Sequence, residues 1–202
     1  MLTQLAGFEN PVQAAQKTFR GLLNSLSRPG IPQVTADVTP PDGLNGACGA
    51  ACLTLLDLET TVWLQPGFPE EVRDWLVFHA GCYFTEDPQA ADFAVIWDVS
   101  RAPDLATFSL GTSEYPEAST SLLIQVPSLE GGEEVSLRGP GILDEISVSL
   151  PLSHTFWSQW QDISLDYPLG LDCWCFAGNR VVGLPRTAQI VSTPPRTLAG
   201  MG

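Results

Sequence analysis

Lysine and histidine are almost missing from this sequence: Lys17 is the single lysine, and His79 and His154 are the two histidines. A pyridoxal-phosphate enzyme needs a lysine for its Schiff base. Arginine cannot form that linkage, so Lys17 alone could serve, and it falls with Gln16 and Arg20 on the polar side of a helix. Two histidines and no G-x-S-x-G leave a serine-hydrolase triad little to build on. A Walker loop and a G-x-G-x-x-G are absent as well, so the sequence calls for no cofactor. Positive charge is scarce: 9 Lys and Arg stand against 23 Asp and Glu, for a net charge of −14. That excludes the basic stripe of a nucleic-acid surface. No stretch approaches the about 20 apolar residues of a membrane helix. The start, MLTQLAGFENP, lacks the basic and apolar regions of a secretory signal. The expected setting is cytoplasmic, with no membrane partner.

What is present is a core. Hydrophobic residues make up 44% of the 202 residues, which suits one domain with a continuous interior. Residues 1–191 are expected to form it, with Ser192 to Gly202, rich in Pro and small residues, as a disordered tail. In a reducing compartment the five cysteines read as buried thiols, not a disulfide framework. Cys48 and Cys52 share a helical face; Cys173 and Cys175 share a strand face.

The stretch from Tyr167 to Thr187 organises the rest. Two strand-like runs, Leu171 to Phe176 and Arg180 to Leu184, flank Gly178-Asn179, a pair suited to a two-residue hairpin turn. The first run is apolar on both faces, so the hairpin needs cover above and below. Pro168 and Pro185 bound it.

Helices are expected from Asn10-Pro11 to Ser27, over Ala47 to Leu56, over Pro69 to His79 and over Ser153 to Ile163. In the first, Asn10 and Gln13 can form a capping box. Ala15, Phe19, Leu22, Leu23 and Leu26 recur there at helical spacing, and Arg28-Pro29-Gly30 ends it. Strands are expected over Ile31 to Val38 at an edge, Thr60 to Leu64, Cys82 to Thr85, Phe93 to Trp97, Ser121 to Val126 and Glu134 to Leu137. Ala102 to Pro116 reads as loop. The alternation predicts a single α/β domain, a mixed β-sheet with helices on both faces.

Candidate chemistry is sparse. His79 and Cys82 form an H-x-x-C pair that lacks two further metal ligands; Cys82 with His79 as base remains open as a nucleophile. Asp57 and Glu59 read as a helix end facing water rather than a metal site. Arg138-Gly139-Pro140-Gly141 reads as a tight turn. Three arginines sit beside ordering features: Arg20 on the first helix, Arg28 at its stop, and Arg186 at the hairpin exit. Bidentate guanidinium contacts suit carboxylate or phosphate. These residues are therefore candidates for a subunit interface or a phosphate site, with internal salt bridges as the competing reading.

Six motifs occur in order: F-R-G-L-L-N-S-L-S-R-P-G (Phe19 to Gly30), L-T-L-L-D-L-E-T-T-V-W-L (Leu53 to Leu64), A-D-F-A-V (Ala91 to Val95), L-G-T-S-E-Y-P-E (Leu110 to Glu117), G-P-G-I (Gly139 to Ile142), and Y-P-L-G-L-D with G-L-P-R-T. Together they resemble the PhnH family, a subunit of the bacterial carbon–phosphorus lyase system, from about Phe8 to Val191. The stretch Asn24 to Leu26 departs from the family's usual Ala-Met. The resemblance implies a pyridoxal-phosphate transferase fold without cofactor or lysine, a homodimer, and assembly with the G, I and J subunits. It further implies that, with G, I and L, the chain supports attachment of alkylphosphonate to ribose C1 of ATP, with adenine released. It transfers no catalytic residue. The reading is a structural subunit; the alternatives are a subunit that contacts ATP or phosphonate through its arginines, and an independent enzyme using Cys82.

Overall fold

The computed structural model describes residues 6–192. The first helix, α1 (Pro11–Ser27), begins with Pro11 where the missing N–H costs nothing. The capping box expected of Asn10 and Gln13 does not form, since the Asn10 side chain makes no capping hydrogen bond. Gly30, at φ +79°, carries the chain away from the helix end.

Strand β1 (Gln33–Val34) follows, a two-residue remnant of the longer edge strand expected. Then come α2 (Gly46–Leu55), β2 (Thr61–Leu64), α3 (Glu70–Ala80), β3 (Tyr83–Phe84), β4 (Phe93–Ile96) and β5 (Ser121–Gln125). The order continues with β6 (Val135–Arg138), β7 (Ile146–Val148), α4 (His154–Ser164), β8 (Asp172–Ala177), β9 (Arg180–Leu184) and β10 (Gln189–Ser192). The Asn45 side chain caps α2 by accepting from Cys48 N, and Ser153 caps α4 by accepting from Phe156 N. Helix α3 carries Glu70 and Glu71 in its first turn and ends on Gly81 in the left-handed region.

One seven-stranded sheet runs in the order β1-β9-β8-β5-β4-β2-β3. Strands β3, β2, β4, β5 and β8 are parallel, and β9 and β1 turn antiparallel at one edge. The expected hairpin lies inside this sheet, pairing Cys173 with Leu184 through Ala177 with Arg180. Of its two turn residues only Gly178 takes a positive φ, at +58°, while Asn179 does not.

Both faces are covered. On one, Leu22 of α1, Ala51 and Cys52 of α2, and Val72, Trp75 and Leu76 of α3 pack over Val62, Val95, Leu123, Trp174, Phe176 and Val181. On the other, Phe156, Trp157 and Trp160 of α4 pack over Ala94, Ile96, Leu122, Ile124, Cys173 and Cys175. The pairing of Trp174 and Phe176 against Cys173 and Cys175 is the two-sided pattern expected of this strand.

Two features correct the sequence reading. A second, three-stranded antiparallel sheet, β10-β6-β7, covers part of the α4 face. Strands β7 and β10 are not legible in the pattern, and β10 ends on Ser192, where the sequence pattern starts the tail; residues 193–202 lie outside the described residues. The second correction is the orientation of α1. Its buried residues are Thr18, Gly21, Leu22 and Ser25, while Phe19 and Leu23 are 51% and 55% exposed. Where it meets β1 and β9 the helix rests backbone to backbone, and Leu22 is the large side chain it buries fully. The backbone of Ser25 and Leu26 passes within van der Waals reach of Gly183, and Gly21 abuts the carbonyl of Val34. The buried hydroxyls are satisfied: Thr18 accepts from Ala36 N at 3.1 Å, and Ser25 donates to Leu22 O at 2.7 Å.

Candidate functional site

The chain leaves β2 for β3 on one side and returns to β4 on the other. Open α/β sheets take ligands outside the carboxyl ends of their strands at such a reversal. A crevice lies there. Trp97, Gln125, Val126 and Pro127 line it with Gly43, Leu44 and Asn45 around about 480 Å³. It continues past Asp98, Val99, Ser100 and Ser153 into neighbouring hollows of about 330 Å³ and 240 Å³.

Gln125 lines it, and two glutamines tie together the strand ends around it. Gln65, at the end of β2 and 3% exposed, accepts from Trp97 N at 3.0 Å and Asp98 N at 2.9 Å and donates to Asp98 O at 2.8 Å. It fixes the ends of β2 and β4 together across the reversal. Gln125, at the end of β5, accepts from Asn45 N and donates to Gly43 O at 2.9 Å. Asn45 also donates to Phe176 O at 3.2 Å, so the start of α2 is tied to β5 and β8. Asp98 accepts from the N–H and hydroxyl of Ser100, and Asp104 from Gln159 at 2.7 Å. These polar side chains are spent on holding their own loops. No cationic residue lines the crevice, and the Arg101 guanidinium lies 6.0 Å from the Trp97 ring centroid. Such a surface can take a flat or apolar group against Trp97. Apart from the Ser100 hydroxyl held on Asp98, its lining carries no histidine, cysteine or lysine and no cation set for a triphosphate.

The candidates named from sequence scatter. Arg186 sits at the exit of β9 and is 15% exposed. Its Nε and one terminal nitrogen donate to Asp172 Oδ2 at 3.2 and 2.6 Å, and that same terminal nitrogen reaches Ser119 Oγ at 2.7 Å. The other donates to Pro116 O at 2.6 Å and Pro168 O at 3.4 Å. Every donor of its fork is used inside the chain. Arg20 and Arg28 lie exposed on and just after α1 and make no ion pair among the described residues. Lys17 is exposed on the same helix.

Cys82 is 4% exposed, and its thiol is pushed up to about 11 by burial first and then by the neighbouring Cys52. It stays protonated at neutral pH, whereas the nucleophile is the thiolate. His79 packs edge-on to Trp75 and Phe78, with ring centroids 5.1 and 4.9 Å away. His154 is exposed beside Glu133, at 3.4 Å. Asp57 accepts from Glu59 N at 2.9 Å, a local turn, and no cluster of metal-ligating side chains occurs among the described residues. Gly139 O accepts from Ile142 N at 3.1 Å, the tight turn expected there. The sequence reading did not single out Gln65, Gln125 or Trp97. Their one signal is position, at or just past the end of a strand.

The fold and crevice define an α/β domain with a strand reversal at the crevice, no assembled catalytic set among the described residues, and an arginine used as an internal tie. The PhnH family profile, described as bacterial phosphonate metabolism protein (PhnH), matches residues 6–191. The chain belongs to the PhnH family. It is 37% identical over 186 residues to the alpha-D-ribose 1-methylphosphonate 5-triphosphate synthase subunit PhnH of Rhizobium meliloti (strain 1021), covering 91% of this chain and 93% of that protein. It is 30% identical over 178 residues to HtxG of Stutzerimonas stutzeri, provisionally named a C-P lyase subunit protein, covering 87% of this chain and 85% of that one.

Proposed function

We propose that this chain is a subunit of the carbon–phosphorus lyase machinery, and that its contribution is structural. In this reading it works with the G, I and L subunits to form alpha-D-ribose 1-alkylphosphonate 5-triphosphate from ATP and alkylphosphonate. It forms a homodimer and joins the G, I and J subunits in the cytoplasm. Its fold resembles that of the pyridoxal-phosphate transferases without the cofactor or its lysine, Lys17 being an exposed helix residue. The observation that carries the proposal is the full-length match to a synthase subunit, at 37% identity over 93% of that relative. The crevice supports the non-catalytic half of it, because its polar groups are committed to the fold and its lining holds no cation.

A second reading, direct contact with ATP or phosphonate, is favoured by the place of the crevice at the strand reversal. Calorimetric titration of the isolated chain separates the two. The structural reading expects no saturable heat with ATP or methylphosphonate up to millimolar concentration. Saturable binding in the micromolar range, lost on changing Trp97 to Ala, is the result expected of the second.

A further inference from the structure

From Asn10 to Ala36 the chain carries Lys17, Arg20 and Arg28 and not one Asp or Glu, within a protein of net charge −14. None of the three cations makes an ion pair with another described residue. This segment is α1 and its exit, and its outer side, besides Gln16, Arg20 and Asn24, carries three large apolar residues where a lone surface helix would carry polar ones. Val12, Phe19 and Leu23 are 84%, 51% and 55% exposed. Their spacing, i, i+7 and i+11, sets them in one row along the helix. Around the axis, Arg20 and then Lys17 follow that row, turn by turn. Helix α1 therefore presents an apolar row with unpaired positive charge along one flank.

A surface helix needs one apolar side, and α1 spends that side on the solvent while it lies on the sheet through Thr18, Gly21, Leu22 and Ser25. The large apolar residues are not needed to hold the helix to its own domain. We infer that the outer face of α1 is a docking surface for a protein partner whose contact region is acidic around an apolar centre. This rests on the reading of the chain as an assembly subunit and assigns the surface and the partner's chemistry. Apolar side chains at the centre of a contact supply most of the affinity, and charges at its rim set on-rate and salt dependence. An anionic bilayer suits a basic amphipathic helix too, but the remaining negative charge of this protein opposes approach to a surface that is negative throughout, while a protein partner is acidic only where it touches. A second copy placed α1 to α1 would bring like charges together.

The test uses the full chain co-expressed with the G, I and J subunits. Two variants alter the face without touching the core: Phe19→Asp with Leu23→Asp, and Lys17→Glu with Arg20→Glu. Leu143→Asp, at a loop position 98% exposed elsewhere, is the control. Expected are parental melting temperatures for all, loss of co-purification in the first variant, about a tenfold weaker complex in the second, and parental assembly in the control. The parental complex should also weaken as salt rises. If the parent assembles and both α1 variants assemble equally well, the surface is wrong and the subunit reading stands. If the parent itself joins none of the three subunits, the subunit reading fails and the surface assignment falls with it. Should either α1 variant unfold, Val12→Asp, at the most exposed position of the row, replaces it. Binding of the parent to phosphatidylglycerol vesicles, or a monomer–dimer equilibrium abolished by the Asp pair, overturns the proposal in favour of a membrane or a second copy.

Discussion

Replacing Gly183 with Ala should lower the melting temperature of the isolated chain by roughly 6–12 °C. A Cβ at this position would stand 2.6 Å from the carbonyl carbon and oxygen of Ser25 and 2.7 Å from Leu26 N. Those are backbone atoms in the last turn of α1, so no side chain can rotate aside. The helix would have to lift from β9, loosening Leu22 and the hydrogen bond from Trp174 Nε1 to Leu22 O at 3.2 Å. Overpacking of this kind costs about 1–3 kcal/mol. The upper end applies where the obstacle is backbone, and in a protein of this size each kcal/mol moves the midpoint by about 2–4 °C. Gly21 offers a sign test. In an exposed helix interior Gly→Ala stabilises by about 1 kcal/mol. Here the added methyl would sit 2.7 Å from Val34 O, so Gly21→Ala should destabilise instead. Midpoints within 1 °C of the parent for both variants would mean that α1 does not rest on these two glycines.

The second large effect belongs to Arg186. Its guanidinium joins the start of β8 through Asp172, the exit of β9, the turn at Pro116 to Ser119, and the carbonyl of Pro168. The pair is 15% and 25% exposed. Removing one partner of a largely buried pair leaves the other charge uncompensated, at a cost of about 3 kcal/mol or more. Arg186→Ala should therefore lower the urea midpoint by that free energy divided by the slope, with the slope unchanged. Arg186→Lys should recover little, because an ammonium cannot reproduce the planar fork. The double variant Arg186→Ala with Asp172→Ala should cost less than the two single changes added together. An Arg186 whose purpose is a subunit contact would leave the isolated chain within about 0.5 kcal/mol of the parent.

These two sites show where sequence patterns carry and where they stop. The hairpin around Gly178-Asn179 is legible because β-branched and aromatic runs flank a turn pair, and because Cys173 to Phe176 is apolar on both faces. Helix positions are legible from the spacing of apolar residues, from Pro11 and from the Pro-Gly stop after the first helix. The orientation of α1 is not. Periodicity points to Phe19 and Leu23, whereas the distance to the sheet, set by Gly21 and Gly183, selects Thr18 and Ser25 for burial. Strands β7 and β10 are short and owe their pairing to β6, a non-local partner that no local window reveals. The crevice depends on strand order, which is also non-local, so Gln65 and Gln125 look like ordinary polar residues until the strand ends meet. Arg186 is legible as an arginine in a fixed setting, but its partners come from two separate stretches, Asp172 at the start of β8 and the Pro116 to Ser119 turn.

The central claim is that the chain supports synthesis of the ribose phosphonate adduct without performing the chemistry itself. Phosphorus NMR can follow methylphosphonate and ATP in mixtures of purified G, I and L subunits with and without this chain. The account predicts the adduct in the four-component mixture, a loss of at least tenfold when the chain is left out, and no turnover of either substrate by the chain alone. Equal adduct formation without the chain, or conversion of ATP or methylphosphonate by the chain on its own, would contradict it.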